Sequence, residues 1–306
     1  MTSGADGRLG GARFLALGLV TAAAWSAGID SGAFAQGASL SLHVIETEVD
    51  GEVDFDESRP IRVDLTVDSA EQFLSTLGLV DSRAVDSQTV QLLLREGSGL
   101  GGEPLERHLQ ATWVVDFDEI PAMTPTSEPG PGQLPTKSGD QLVRAIRSKT
   151  ESLLPDRTYR HSLLIASQAV RAGGGDCTEH AVVAAAVARS LGVPARVIVG
   201  WALLQVVVDT DPIATSTMGH AWAEVWIDQQ WRVVDTALQP VEPDPELIEL
   251  GAELRIRYLP QTEWSNEGPG YSGWLLQRIS TRPSKVVLRP ADRDTAPENT
   301  TISDNH

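Results

Sequence analysis

The chain holds a single cysteine among its 306 residues. No intramolecular disulfide can therefore form, and the fold must rest on packing alone. Positive charge is scarce as well. The 24 Lys and Arg residues stand against 42 Asp and Glu, a net charge of −18. Nucleic acid and anionic membrane would both repel such a chain, which excludes them as partners. Beyond that, acidity indicates only solubility. Past the N-terminal segment no stretch reaches the roughly 18 continuous apolar residues of a spanning helix, so no membrane span is expected in the mature chain. Close pairs of metal ligands are missing. A lone cysteine with scattered histidines does not give zinc-site spacing. Asp209-Thr210-Asp211 is too short a signal for a calcium site. No metal or cofactor is predicted.

What is present suits a globular protein. Hydrophobic residues make up 41% and charged residues 22%, enough for a sizeable core, and the length fits two domains. Residues 1–35 read as an export signal. Arg8 and Arg13 form the basic region, Phe14 to Ala27 a short apolar run, and Ala33-Phe34-Ala35 the small-x-small pattern before a cut that leaves Gln36 first. An uncleaved anchor is the alternative. The expected location is thus periplasmic or extracellular. Exported proteins usually use cysteines in pairs, so a solitary thiol there is a liability unless it has a task.

Residues 36–122 read as a small β-rich domain. Leu40–Ile45 and Ile61–Val67 largely alternate apolar with polar, with Asp50-Gly51 between them as a hairpin signal. Ser69–Leu79 suits a short helix, and Val90–Arg95 and Leu109–Val115 resume strand character. His43 and His108 are isolated and carry no chemistry. Residues 123–137, rich in Pro, Gly, Ser and Thr, form a linker. A catalytic domain over 138–290 follows, and residues 291–306 are polar and expected to be disordered. Leu142, Ile146 and Leu153 mark a helix that starts near Ser138, and Leu163–Ala172 a second.

The stretch Gly173-Gly174-Gly175-Asp176-Cys177-Thr178-Glu179-His180 organises the rest. Three glycines free the backbone for tight turns, and Asp176 is a good N-cap. From Ala181 to Ala188 every residue is Ala or Val, which predicts a helix buried all round. Leu191-Gly192-Val193-Pro194 supplies the stop. The only thiol therefore opens a buried helix, and the positive helix end is expected to lower its pKa and favour thiolate. Ala195–Leu204 is a long apolar run, suited to a strand covered on both faces. A polar loop, Asp209–Gly219, is expected next. His220–Ile227 and Trp231–Asp235 read as a hairpin turning at Asp228-Gln229-Gln230, which brings His220 near Asp235.

A thiol, a histidine and an aspartate can together carry out acyl transfer. The cysteine attacks a carbonyl, the histidine moves the proton, and the aspartate fixes the histidine tautomer. The backbone N–H of Cys177 is the natural oxyanion donor. His180 shares a helix face with Cys177. As a base there it would leave little room for a carbonyl, so it is assigned to the surroundings of the site. Trp222, Trp226 and Trp231 either pack the core or wall the cleft. Glu224 alternates onto the face of His220 and Trp222, where it either bonds near the site or serves the fold.

In order and spacing, Gly175–His180, Leu191–Arg196, His220–Val225, Trp231 and Val234-Asp235 resemble the blocks of the transglutaminase-like superfamily, a branch of the papain-like cysteine enzymes. The resemblance covers residues 173–236 directly. It implies an α+β fold, with helices packed on an antiparallel sheet, behind the β-rich N-terminal domain. It also implies Cys177 as nucleophile, His220 as base and acid, and Asp235 as the orienting residue. Relatives often add an upstream aromatic as second oxyanion donor. Tyr159 is the candidate, or else an ordinary tyrosine. The activity implied is an exported cysteine peptidase or amidase acting on a protein or peptide amide through a thioester. Transamidation of a lysine amine, or a non-catalytic binding module on the same fold, are the alternatives. A zinc enzyme using His180 and His220 would be a third.

Overall fold

The computed structural model describes residues 44–56, 58–77, 81–95, 99–117, 119–120, 138–156, 163–241, 245–264 and 282–291. The signal segment, the linker at 123–137, Tyr159 and the tail from 292 onward lie outside the described residues. The fold is mixed α+β. A nine-stranded sheet is built from β1 (Val44–Val49), β2 (Ile61–Thr66), β3 (Ser82–Ala84), β4 (Thr89–Leu94), β5 (Ala195–Val208), β6 (Asp211–Ile227), β7 (Gln230–Val234), β8 (Ala252–Glu263) and β9 (Lys285–Pro290). Its order is β3-β4-β2-β9-β1-β6-β5-β8, with β7 beside β6. The helices are α1 (Ala70–Thr76), α2 (Gly139–Leu153), α3 (Ala166–Ala172), α4 (Cys177–Ser190) and α5 (Pro245–Leu250). None of them is long and apolar enough to cross a membrane.

Three expectations from the sequence fail. Asp50-Gly51 does not close a hairpin, because β9 runs between the two strands, parallel to β1 and antiparallel to β2. Gly51 instead turns the chain out at φ +94°. Leu109–Val115 forms no strand: after a 3-10 turn at Glu106–His108 it runs as turn and bends. The polar loop expected at Asp209–Gly219 is mostly strand. Only Asp209 and Thr210 turn, both at positive φ, a two-residue hairpin of the kind that matches strand twist. Ser216 and Thr217 are buried within β6, and Thr217 Oγ1 meets Thr47 Oγ1 of β1 at 2.8 Å. Pairing with strands on both sides overrides their polarity.

Two apolar cores flank this sheet. One gathers Val63, Leu65, Leu92 and Leu288 with Phe73 of α1 and Trp201, Leu203 and Leu259 from β5 and β8. The other surrounds α4, whose residues 181–188 are all buried, as the unbroken Ala/Val run requires. Small side chains let α4 lie close against Ala221, Ala223 and Val225 on one face of β6. Because successive strand residues alternate faces, His220, Trp222 and Glu224 must point to the other.

Candidate active site

The start of α4 is fixed before any chemistry is considered. Gly173 ends α3 in the left-handed region at φ +69°, where glycine carries no steric penalty. A Cβ on Gly175 would lie 2.2 Å from Cβ of Glu179, so the chain passes only as glycine. Asp176 caps the helix: its Oδ1 accepts from the Thr178 amide at 2.8 Å and from Thr178 Oγ1 at 2.7 Å. Glu179 closes the capping box, accepting the Asp176 amide at 3.0 Å on Oε2. Its Oε1 takes the Leu164 amide at 2.8 Å, tying the preceding segment to the helix start. The Asp176 and Glu179 spacing of a capping box was the available signal for Glu179.

Cys177 is 7% exposed within the α4 core. Among the described residues, the β1 pairing of β6 reaches Met218 and its β7 pairing begins at Ala223. The backbone amide of Ala221, the residue after His220, acts on the sulfur. Burial pushes the Cys177 thiol up to about 12. The Glu179 and Asp235 carboxylates push it the same way, and the amides of Ala221 and Cys177 only partly oppose them. The expected lowering therefore does not occur. A helix end is worth about 0.3–1 kcal/mol near the surface, under one pKa unit, whereas full desolvation moves a group by several units.

His220 and Asp235 meet directly. Nε2 of His220 donates to Asp235 Oδ2 at 2.7 Å, with both side chains buried. The β6–β7 turn at Asp228 and Gln229 is two residues long, and its pairing sets Ala223 opposite Val234, so the two ends arrive together. Asp235 is otherwise saturated. The amides of Ala237 and Leu238 donate to Oδ1 at 3.0 and 3.1 Å, and the Tyr258 hydroxyl donates to Oδ2 at 2.8 Å. Burial would raise its pKa, but His220, the Leu238 amide and the Tyr258 hydroxyl outweigh burial and hold it below the usual carboxylate value. With the proton on Nε2, Nδ1 of the neutral ring is the lone-pair nitrogen. It is buried and has no hydrogen-bond partner among the described residues.

The remaining expected residues surround this pair at one remove. His180 turns from the thiol to Thr236, sharing a 2.7 Å hydrogen bond through Nδ1, and so anchors the residue after Asp235 to α4. Trp222 is fully buried and stacks on His220 with ring centroids 6.0 Å apart. Its Nε1 donates to Glu224 Oε1 at 3.3 Å. Glu224 in turn binds Arg196, with Nε at 2.8 Å and Nη2 at 2.7 Å from Oε2. Trp226 and Trp231 pair across β6 and β7 at 5.3 Å and line a cleft of about 810 Å³. Tyr258 of β8 was missed by sequence reasoning. It holds Asp235, lies 4.9 Å from Trp222, and belongs to no motif block. His108 is satisfied elsewhere: its Nδ1 accepts the Leu105 amide and its Nε2 faces Glu263. Among the described residues no three His, Cys, Asp or Glu side chains gather as a metal site.

Comparison with known proteins adds a family. Residues 130–236 match the family model described as the transglutaminase-like superfamily. No curated protein matches the chain. Among solved structures, a protein from Cytophaga hutchinsonii, named provisionally as a cysteine protease, is 12% identical with a TM-score of 0.28, covering 67% of this chain and 76% of its own. The periplasmic domain of TgpA from Pseudomonas aeruginosa bound to ethylmercury is 17% identical with a TM-score of 0.32, covering 68% and 78%. A provisionally named protease from Parabacteroides distasonis is 14% identical with a TM-score of 0.27, covering 68% and 42%. Scores this low carry no argument about activity.

Proposed function

On the match of residues 130–236 to the transglutaminase-like superfamily model, we propose that the protein is an exported cysteine-dependent acyl-transfer enzyme that hydrolyses peptide or side-chain amides. The observation that carries this reading is the orientation of His220. Its Nε2 is committed to Asp235, which leaves Nδ1 as an unoccupied base, on the strand residue next to the amide that touches the sulfur.

In the first step Sγ of Cys177 bonds to the amide carbonyl carbon while its proton passes to Nδ1 of His220. Asp235 stabilises the imidazolium that forms. The raised thiol pKa makes this a general-base step, in which proton transfer accompanies attack rather than preceding it. The Cys177 backbone N–H, in the first turn of α4 where no intrahelical acceptor exists, donates to the developing oxyanion. Collapse breaks the C–N bond, and the Nδ1 proton leaves with the amine. Water then attacks the thioester, gives one proton to His220, and releases the acid, after which that proton returns to sulfur. A lysine amine in place of water would give transamidation.

The N-terminal signal pattern supports a periplasmic or extracellular location, and the β-rich residues 36–122 are proposed as a domain preceding the catalytic one. The test is an acyl-enzyme trap. Purified protein is incubated with amide donors and its intact mass is read for an adduct. The expected result is an adduct on Cys177 that is absent in Cys177→Ala. No adduct with any donor, and no turnover, would leave only the shared fold.

A further inference from the structure

The cleft beside the His220–Asp235 pair has a charge that the rest of the molecule does not. In a chain of net −18, its wall includes Arg95, Arg147, Arg196, Arg232 and Arg257 against Glu103 and Glu224. Arg196 is paired with Glu224, Arg232 with Asp140 and Asp228, and Arg95 reaches Asp81 at 3.9 Å. Arg257 donates to the carbonyls of Asp56 and Arg59. Arg147, on α2, is half-buried and has no carboxylate partner among the described residues. One Nη donates to Gln239 Oε1, while Nε is buried and makes no hydrogen bond there. A buried guanidinium nitrogen without an acceptor is costly, and the open space next to it is the cleft.

This guanidinium is connected to the reacting groups. The Gln239 amide donates to the Asp235 carbonyl at 3.2 Å, so Gln239 closes the turn that also saturates Asp235. Tyr258, which donates to Asp235 Oδ2, lines the same cleft. Trp231 provides an apolar wall, held by the Arg196 guanidinium 4.1 Å above its ring. The volume, about 810 Å³, suits a short peptide.

We propose that Arg147 binds a carboxylate of the substrate, so that the enzyme selects peptides with an acidic group close to the scissile amide. The inference rests on the amidase reading for its consequence, though the binding itself does not require turnover. Nε and Nη2, the two nitrogens on one edge of the guanidinium, would form the two-pronged contact that guanidinium makes with carboxylate, with Nη2 shared with Gln239. The carboxylate could be a free C-terminus or an acidic side chain.

Binding to the Cys177→Ala protein, followed by tryptophan fluorescence and calorimetry, tests this without catalysis. The probes are N-acetyl-trialanine as free acid, the same peptide as C-terminal amide, and N-acetyl-Ala-Ala-Glu as C-terminal amide. The free acid or the glutamate peptide is expected to bind about tenfold or more tightly than the uncharged amide, and which of the two does so identifies the carboxylate. Arg147→Gln should abolish the preference, and Arg147→Lys should keep part of it. Equal binding of all three probes, no binding at all, or a preference that survives Arg147→Gln overturns the proposal. The three-probe comparison needs no change at Arg147, so it stands even where that variant does not fold. An absent adduct in the acyl-enzyme trap would sink the amidase reading and leave this binding result intact.

Discussion

The two faces of β6 carry opposite solutions to burial. On one, Ala221, Ala223 and Val225 meet the Ala/Val surface of α4. On the other, one residue out of phase, His220, Trp222 and Glu224 are equally buried but lie in a network with Asp235, Tyr258 and Arg196. The apolar face gains free energy from each atom it removes from water. The polar face has a desolvation cost that its ion pairs and hydrogen bonds roughly offset, and it gains a fixed geometry in return. Period-two alternation thus separates packing from chemistry within one strand. Cys177 belongs to the apolar side, where the Ala221 amide acts on its sulfur.

The largest effect that would break this contrast concerns the thiol. If its pKa is about 12 against an ordinary 9.0, the thiolate fraction at neutral pH falls about 10³-fold. Iodoacetamide labelling of the native protein should then be slower than that of the urea-unfolded chain by a similar factor, and should rise only as pH approaches 12. The sign for stability follows. The unfolded thiol loses its proton first as pH rises, so the native state loses stability between the two pKa values. Fast native labelling with a midpoint below that of the unfolded thiol would mean that a thiolate–imidazolium pair exists at rest.

Next in size is Glu224→Ala, which leaves the Arg196 guanidinium buried without its carboxylate. A loss of about 3–5 kcal/mol is expected in urea unfolding. On the opposite face, Ala185→Leu adds three carbons to a fully buried site in α4 and should cost about 1–3 kcal/mol by overpacking. Similar losses from both substitutions would erase the distinction drawn between the faces.

Local chemistry in the chain made much of this legible. The glycines, Asp176 and the Ala/Val run define α4 because cap, helix and stop are contiguous, and the structure runs Cys177–Ser190 as expected. The β6–β7 hairpin that joins His220 to Asp235 was readable for the same reason. Long-range partners were not. Nothing in Asp50-Gly51 indicates that β9, more than 230 residues on, runs between β1 and β2. Arg196 and Glu224 each sit on a readable strand, yet their pairing depends on the β5–β6 register. The thiol pKa was misjudged because the helix end is visible in the sequence while the completeness of burial is a property of the whole core.

Tyr258→Phe is the smallest change and the most selective one. It removes the hydroxyl that donates to Asp235 Oδ2 at 2.8 Å and leaves the ring against Trp222. Packing is preserved, so stability should fall by about 1.5–3 kcal/mol, the worth of one hydrogen bond to a charged group. Activity should respond differently. With one donor fewer, the Asp235 carboxyl rises from its lowered value. Its contribution to stability is present above the unfolded carboxylate pKa and is lost as pH falls through the folded one. In the variant that loss is smaller and is complete at a higher pH, and the acidic limb of the pH–rate profile shifts upward with it. About tenfold lower kcat with KM little changed is the expected signature of a positioning residue. An unchanged acidic limb together with an unchanged kcat would reduce Tyr258 to a packing residue and restrict the reacting network to the strands β6 and β7.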